Sequence, residues 1–421
     1  MPTRRGRVLL FAAPVIYILA RLTTVGELHS LALAALIFPL LSIAFVRWSR
    51  HRIGFTRTFG PRRIFAGNTV RIEIAARNLG KLPAPPLSLE DSASPAIGGP
   101  IRFSMPSLGP EGRDSVAVER RIAQRGRHTL GPLRARLVDP FGLAEVAHNV
   151  APESSLVVYP RIHALGEIAP PEERGGGGRS LVQHLSVSGD DFYAVRDWQE
   201  GDDLRKIHWR SSARRGSLMI RQDEITPFPR ATLLVDNRAI VHRDQGPSSS
   251  LEWSISGAAS IVWELAKQGY ALRLATADGG PGVPRWGREA TDPLLTTLAV
   301  AGRSQQKSFS AVLRRTSARP GAGGALIAIM PPPSPDLVAG VVRLARVYSW
   351  AGIVLLDVAS FASSSGRERA AFDQRLAEVE RALSRAGWHI SIAGATEPFK
   401  TIWQNLLDAS ASRASSRSLR S

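Results

Sequence analysis

The chain contains no cysteine among its 421 residues. Disulfides and cysteine–zinc centres are therefore excluded, and the composition suits a reducing compartment. Acidic residues are short relative to basic ones, 36 against 54, which leaves a formal net charge of +18. That balance favours an anionic partner, either nucleic acid or an acidic membrane surface. Arginine supplies nearly all of the excess, a pattern that GC-rich codon usage also produces, so the charge does not by itself argue for nucleic acid. No aromatic–basic interleaving of a known nucleic-acid module supports that class either. The glycine-rich run Gly175–Gly178 is not followed by a Gly-Lys-Ser/Thr signature, so a phosphate-cradling loop is not indicated.

What is present starts with an ordinary apolar content of 44%, enough for real cores, in a length that suggests two or three domains. Arg4, Arg5 and Arg7 precede an apolar run over about 8–25, interrupted by Arg21, and a second run covers about 28–46 before Arg47, Arg50 and Arg52. Each run approaches the roughly 20 residues that a membrane-spanning helix needs. The link is short, so residues 1–52 are expected to form a transmembrane helical hairpin. Basic residues flank its outer ends, which places both chain ends in the cytoplasm by the positive-inside rule. A signal peptide is disfavoured by the second run and by the lack of a small-residue cleavage site after the first. A pair of buried core helices is disfavoured because neither run has a polar face.

Residues 53–162 change to period two. Val70, Ile72 and Ile74 alternate with Arg71 and Glu73, and Leu133, Ala135 and Leu137 alternate with Arg134 and Arg136. Gly, Pro and Asn punctuate these runs, which predicts a small antiparallel β-sandwich. Residues 163–229 are expected to be a linker, flexible around Pro170 to Ser180, and a charged stretch. From 230 to 407 strands alternate with helices. Strands are predicted at Ala231–Val235, Tyr270–Ala275, Ala325–Met330, Ile353–Leu356 and Trp388–Ile392, and helices over about 251–268 and 366–385. This pattern implies a parallel, Rossmann-like sheet covered on both faces. Such sheets bind ligands beyond the carboxyl ends of their strands, where Asp236, Asp278 and Asp357 fall. The Ser- and Arg-rich tail, 408–421, is expected to be disordered.

The densest mixture of charge, aromatics and glycine is Gly189–Glu224. Asp190, Asp191, Asp197, Glu200, Asp202 and Asp203 interleave with Arg196, Arg205, Lys206 and Arg210, and with Phe192, Trp198, Ile207 and Trp209. Charges partly removed from water need partners, so the stretch is expected to be a fixed polar network at a domain junction. After Gly201, Asp202 would be a helix N-cap and Asp203 would complement the helix dipole, with Arg214, Arg215 and Gly216 as the stop. Arg196 and Arg205 would be the guanidinium partners that hold it. The catalytic alternative is a metal-dependent hydrolase or nuclease using His208 with Asp191, Asp202 or Asp203. No second histidine stands at ligand spacing.

Several motifs together resemble a known family. They are Arg125-Gly126 with Leu130-Gly131-Pro132, then Asp139-Pro140-Phe141-Gly142-Leu143, then Val158-Tyr159-Pro160-Arg161. The strongest is Gly189 to Trp209, with Asp191-Phe192, Arg196, Gly201-Asp202-Asp203, Arg205, Ile207 and Trp209. The chain is similar to the bacterial domain-of-unknown-function-58 family of membrane-anchored proteins, whose terminal domain is related to von Willebrand factor A domains. His208 departs from the Asp usual there. The resemblance implies no catalytic activity and no cofactor. It implies an interaction or assembly factor at the inner membrane, working with a MoxR-type AAA+ ATPase in envelope or stress physiology. It also raises the von Willebrand A metal motif Asp-x-Ser-x-Ser, whose hydroxyls and carboxylate suit magnesium. Here the run is Asp236-Asn237-Arg238-Ala239-Ile240. Asp236 is kept, both serines are gone, and Arg238 brings positive charge to the place of the cation, so no metal is expected.

Overall fold

The computed structural model describes residues 1–23, 25–49, 53–61, 63–166, 194–198, 207, 209–222, 229–318, 324–362 and 365–418. The chain divides into two compact units, Met1–Ile162 with Leu295–Gly302, and His163–Leu294 with Arg303–Ser421.

The first unit opens with α1 (Arg4–Thr23) and α2 (Gly26–Ser49), both long and apolar enough to cross a membrane. Each starts earlier than hydropathy indicates, so Arg4, Arg5 and Arg7 lie in the first turns of α1 rather than before it. Buried positions in the pair are small, Ala13, Ala20, Ala32 and Ala35, whereas Phe11, Val15, Ile18, Leu33, Ile37 and Leu41 are exposed. Small residues inside and large apolar ones outside is the reverse of a water-soluble helix pair, and is how helices pack in lipid.

Nine strands follow. They are β1 (Ile53–Gly60), β2 (Ile64–Phe65), β3 (Thr69–Asn78), β4 (Leu87–Ala93), β5 (Ile101–Met105), β6 (Arg113–Arg121), β7 (Gly126–Val138), β8 (Glu145–Ala151) and β9 (Ser154–Tyr159). One sheet has the order β1-β3-β6; the other has β2-β9-β7-β4-β5, with β8 also paired to β7. The period-two pattern places Val70, Ile72 and Ile74 of the first sheet in one core with Leu87, Leu89, Leu133, Ala135 and Leu137 of the second. The expectation of wholly antiparallel pairing is corrected by β2, which runs parallel to β9 with Ile64 opposite Val158. No hairpin joins these two strands, so no turn dictates their direction.

In the second unit, β10 (Ala194–Asp197), α3 (Trp209–Arg215) and β11 (Met219–Gln222) precede β12 (Arg230–Val235), α4 (Ser250–Lys267), β13 (Ala271–Thr276), β14 (Arg285–Trp286), α5 (Gly287–Val300, whose part from Leu295 onward is counted with the first unit) and α6 (Ser310–Ser317). Then come β15 (Ala325–Met330), α7 (Pro335–Leu344), β16 (Trp350–Leu356), α8 (Gly366–Arg385), β17 (His389–Ala393) and α9 (Phe399–Ser418). The main sheet has the order β14-β13-β12-β15-β16-β17. Its pairings are parallel except at the β14 edge. The strand order reverses beside β12, the kind of position past whose carboxyl end open sheets bind ligands.

Continuous apolar runs mark β12, β15 and β16 as strands covered on both faces. One face carries α6, α7 and α8, with Leu313, Val341 and Leu383 in a shared core. α4 and α9 meet elsewhere, where Gly257 faces the Phe399 ring so closely that a methyl group would overlap it. A Ser365–Glu368 capping box starts α8. The helix α9 continues through Ser418, so the expected start of disorder at 408 falls inside a helix.

Candidate functional site

Three loops meet past the carboxyl ends of β12, β13 and α5. Asp236 follows β12 directly and is 1% exposed. Its carboxylate accepts from Arg238 through Nε (2.9 and 3.2 Å) and Nη2 (2.7 Å), and from the Arg238 backbone N–H (3.2 Å). The guanidinium is buried too, donates from Nη1 to the Lys307 carbonyl (3.0 Å), and lies 5.5 Å from the Phe309 ring centroid. A fork of donors matched to both carboxylate oxygens is the geometry in which arginine pairs most strongly.

Next to this pair, the Asn237 side chain joins the loops. Its Oδ1 accepts from the Ala277 N–H (2.8 Å), and its Nδ2 donates to Asp278 Oδ2 (2.8 Å). Ser304 Oγ donates to the other oxygen of Asp278 (2.5 Å), and the backbones of Asn237, Ala239 and Ser304 bond to one another. On the far side of β12, His242 bonds the Asp236 carbonyl through Nε2 and Ser250 Oγ through Nδ1 (2.9 Å). A carbonyl can only accept, so Nε2 carries the proton. Nδ1 faces the Ser250 hydroxyl, which also lies within donating distance of the Arg243 carbonyl (3.2 Å), and burial favours the neutral ring. Burial holds the imidazole below its ordinary pKa, the nearby cations Arg303 and Arg238 add to this, and the Asp236 contacts oppose it.

The sign of the resulting pH effect follows from where the proton binds. The unfolded chain takes up a proton near pH 6.5, and the folded chain only at lower pH. The contribution of His242 is therefore complete above that value and lost as the pH falls below it. We expect the stability gap between wild type and His242→Gln to be largest at neutral pH and to shrink on acidification, as read by urea titrations across this range. A gap that widens on acidification would contradict the neutral assignment.

Asp357, at the end of β16, completes the set expected at the strand ends. It accepts from Arg369 (2.8 Å) and caps the short turn that follows through the Ser360 N–H. Thus Asp236, Asp278 and Asp357 are each engaged by donors of the chain itself. Among the described residues no group of three His, Cys, Asp or Glu side chains converges on a metal-sized space. The Asp236 carboxylate that an Asp-x-Ser-x-Ser reading would offer to magnesium is paired with the Arg238 guanidinium. The donor set does not fit the ion, because a single carboxylate already neutralised by a buried arginine offers too few hard oxygens.

The structure places the signature stretch only in part. Gly189, Asp191, Phe192, Gly201, Asp202, Asp203, Arg205 and His208 lie outside the described residues, as does Gly175–Gly178. Arg196 sits on β10, opposite Ile220 of β11. The expected helix start at Asp202 also lies outside the described residues; Ile207 lies in a β-bridge, and the described helix α3 begins at Trp209. Its stop is where the sequence puts it, with Gly216 at a φ of +74°. Trp209, expected between buried charges, is 69% exposed. As the first residue of a one-to-two-turn helix it has little preceding helix to cover it. Ser304, His242, Ser250 and Arg369 were not singled out by the sequence. Only the fold brings them to the strand ends.

The fold and site define an open α/β sheet unit whose buried strand-end carboxylate is paired with an arginine of the same chain, in a protein that opens with two membrane-length helices. Residues 194–320 match the family model described as protein of unknown function DUF58. The chain is also 25% identical over 230 residues to the uncharacterized protein YeaD of Bacillus subtilis (strain 168), covering 52% of this chain and 55% of the relative. Over these segments the chain is similar to the DUF58 family. The chain thus spans about half the length of the curated relative it matches. Among solved structures, the CARDB domain of a Pyrococcus furiosus protein aligns at 16% identity over 25% of this chain and 91% of that one, with a TM-score of 0.20. Beta-glucuronidase 2 of Bacteroides uniformis aligns at 10% identity over 81% of this chain and 33% of that one, with a TM-score of 0.17. Likenesses this slight bear on neither fold nor function.

Proposed function

We propose that this chain is a non-enzymatic, membrane-anchored interaction protein. The hairpin α1–α2 spans the inner membrane, with both chain ends in the cytoplasm. The second unit acts as a degenerate von Willebrand A-like domain that recruits a protein partner past the carboxyl ends of its strands. The observation that carries this reading is the buried Asp236–Arg238 pair, which puts a permanent internal cation where such domains hold a metal. Strand order with an antiparallel edge strand supports the relationship. Ile240, exposed two residues after Arg238, offers an apolar contact point at this end of the sheet. The partner implied by the family resemblance is a MoxR-type AAA+ ATPase.

A hydrolase or nuclease would depend on His208 with Asp191, Asp202 or Asp203, and every carboxylate at the described strand ends is already committed to a donor. Affinity capture of the detergent-extracted protein from its own membranes, probed for a AAA+ ATPase, tests the proposal. Retention of the ATPase by wild type, and its loss in Ile240→Glu with melting unchanged, is the expected outcome. Turnover of phosphoesters or nucleic acid that depends on His208 would overturn it.

A further inference from the structure

The turn between β7 and β8, Asp139-Pro140-Phe141-Gly142-Leu143-Ala144, is built in a way that the rest of the first unit does not require. The Asp139 carboxylate is buried and accepts from two backbone amides of its own turn, Phe141 N–H (3.0 Å) and Ala144 N–H (2.6 Å). The Gly142 amide bonds the Asp139 carbonyl (3.0 Å), and Gly142 takes a φ of +69°. The start of the chain satisfies the outward carbonyls. Thr3 Oγ1 donates to Gly142 (2.6 Å) and the Thr3 amide to Leu143 (2.9 Å). Gly6 of α1 lies so close to the Leu143 carbonyl that a Cβ there would stand 2.0 Å from its oxygen. The turn is thus held against the start of α1, and these bonds give six of its backbone polar groups partners within the protein.

What this clamp displays is apolar. Phe141 is 67% exposed, and its ring lies 6.2 Å from that of Phe38, itself 52% exposed on α2. Phe38 is eight residues before Val46, so at about 1.5 Å per residue it stands ~12 Å inward from the Arg47 end of the helix. The backbone of the turn lies beside Thr3 and Gly6 at the Arg4–Arg7 end of α1, where the apolar span begins, and the Phe141 side chain reaches from there to Phe38. A backbone turn tolerates such a place only if its polar groups are satisfied internally, which is what Asp139 and Thr3 accomplish. Arg4, Arg5, Arg7 and Arg47 are exposed around the base, where phosphate headgroups of an anionic bilayer would meet them.

We infer that this turn is a membrane-insertion loop. Phe141 occupies the acyl region of an anionic phospholipid bilayer beside Phe38, giving the β-rich unit a third point of attachment besides the two helices. The inference rests on the reading of α1–α2 as membrane-spanning.

The absence of cysteine permits a direct test. Single cysteines at Phe141, Val15 and Arg127 are labelled with an environment-sensitive fluorophore in the full chain. Each protein is reconstituted in phosphatidylcholine–phosphatidylglycerol vesicles, with or without lipids carrying a nitroxide on the acyl chain. Val15 is an exposed mid-helix position of α1, and Arg127 is exposed at the opposite end of β7, roughly 35 Å from the turn at ~3.3 Å per residue. The inference predicts strong nitroxide quenching at positions 15 and 141, and at position 127 quenching by aqueous iodide only. Quenching at 15 without quenching at 141 would overturn the insertion loop while leaving the anchor intact. Loss of quenching at 15 would instead remove the spanning hairpin and the loop with it. In a second variant, Gly6→Val should push the turn off α1 and lower the quenching at 141 without changing that at 15; unchanged quenching at 141 would show that the clamp does not position the turn.

Discussion

Arg238→Ala is expected to destabilise the α/β unit by about 3–5 kcal/mol, the usual cost of stripping one partner from a buried ion pair. Two features put the effect at the upper part of that range. Asp236 and Arg238 are 1% and 5% exposed at their side chains, so no solvent replaces the lost charge. The guanidinium also contacts the Phe309 ring and the Lys307 carbonyl, and both contacts vanish with it. Apart from Trp48, every tryptophan lies in this unit, so urea titration followed by tryptophan emission reports on it. The double variant Asp236→Asn with Arg238→Met should recover much of the loss, because it removes both charges together. A loss below about 1 kcal/mol in Arg238→Ala would place the pair among solvent-screened surface bridges and contradict its role as an internal cation.

The second large effect is expected in the first unit. Arg57 on β1 crosses between the two sheets to Asp91 on β4, with Nη1 2.7 and 2.9 Å from the two carboxylate oxygens. Nη2 reaches Ser154 Oγ (3.0 Å) and the Pro152 carbonyl, so one guanidinium fastens β1, β4 and the β8–β9 turn. Both side chains are almost wholly buried. Arg57→Ala should cost about 3–5 kcal/mol by leaving the Asp91 carboxylate uncompensated. Burial already pushes the Asp91 carboxyl up, and Arg57 pulls it back. Without Arg57 the folded state binds a proton more tightly than the unfolded chain does, so part of the loss is recovered as the pH falls. Hydrogen exchange should quicken in β1 and β4 while β12 and β15 keep their protection. Equal acceleration in all four strands would refute a local clamp.

How much of this was legible in the sequence differs from element to element. The two apolar helices were, because hydropathy over some 20 residues depends on no tertiary contact. So were β12, β15 and α8, whose apolar runs or helical spacing are uninterrupted. By contrast α5 carries an internal Pro293, α6 is eight residues long, and α7 follows Pro331-Pro332-Pro333, so local signals pointed away from helix in all three. The parallel pairing of β2 with β9 joins residues far apart in sequence, which no local pattern encodes.

The candidate site divides in the same way. Asp236 and Arg238 stand two residues apart at a strand end, so the eroded metal motif was visible in the sequence. The bonds from Asn237 and Ser304 to Asp278 were not, since three loops meet there only once the sheet has formed. Trp209 shows the opposite error. Its aromatic character suggested burial, but its place at the start of a short helix leaves it in solvent.

Isothermal titration of magnesium into the intact protein tests the central claim most directly, with Asp236→Ala as the comparator. The proposed reading, in which the Arg238 cation takes the place of a metal at Asp236, predicts no saturable heat from either protein. Stoichiometric magnesium uptake by the wild type that disappears in Asp236→Ala would contradict it.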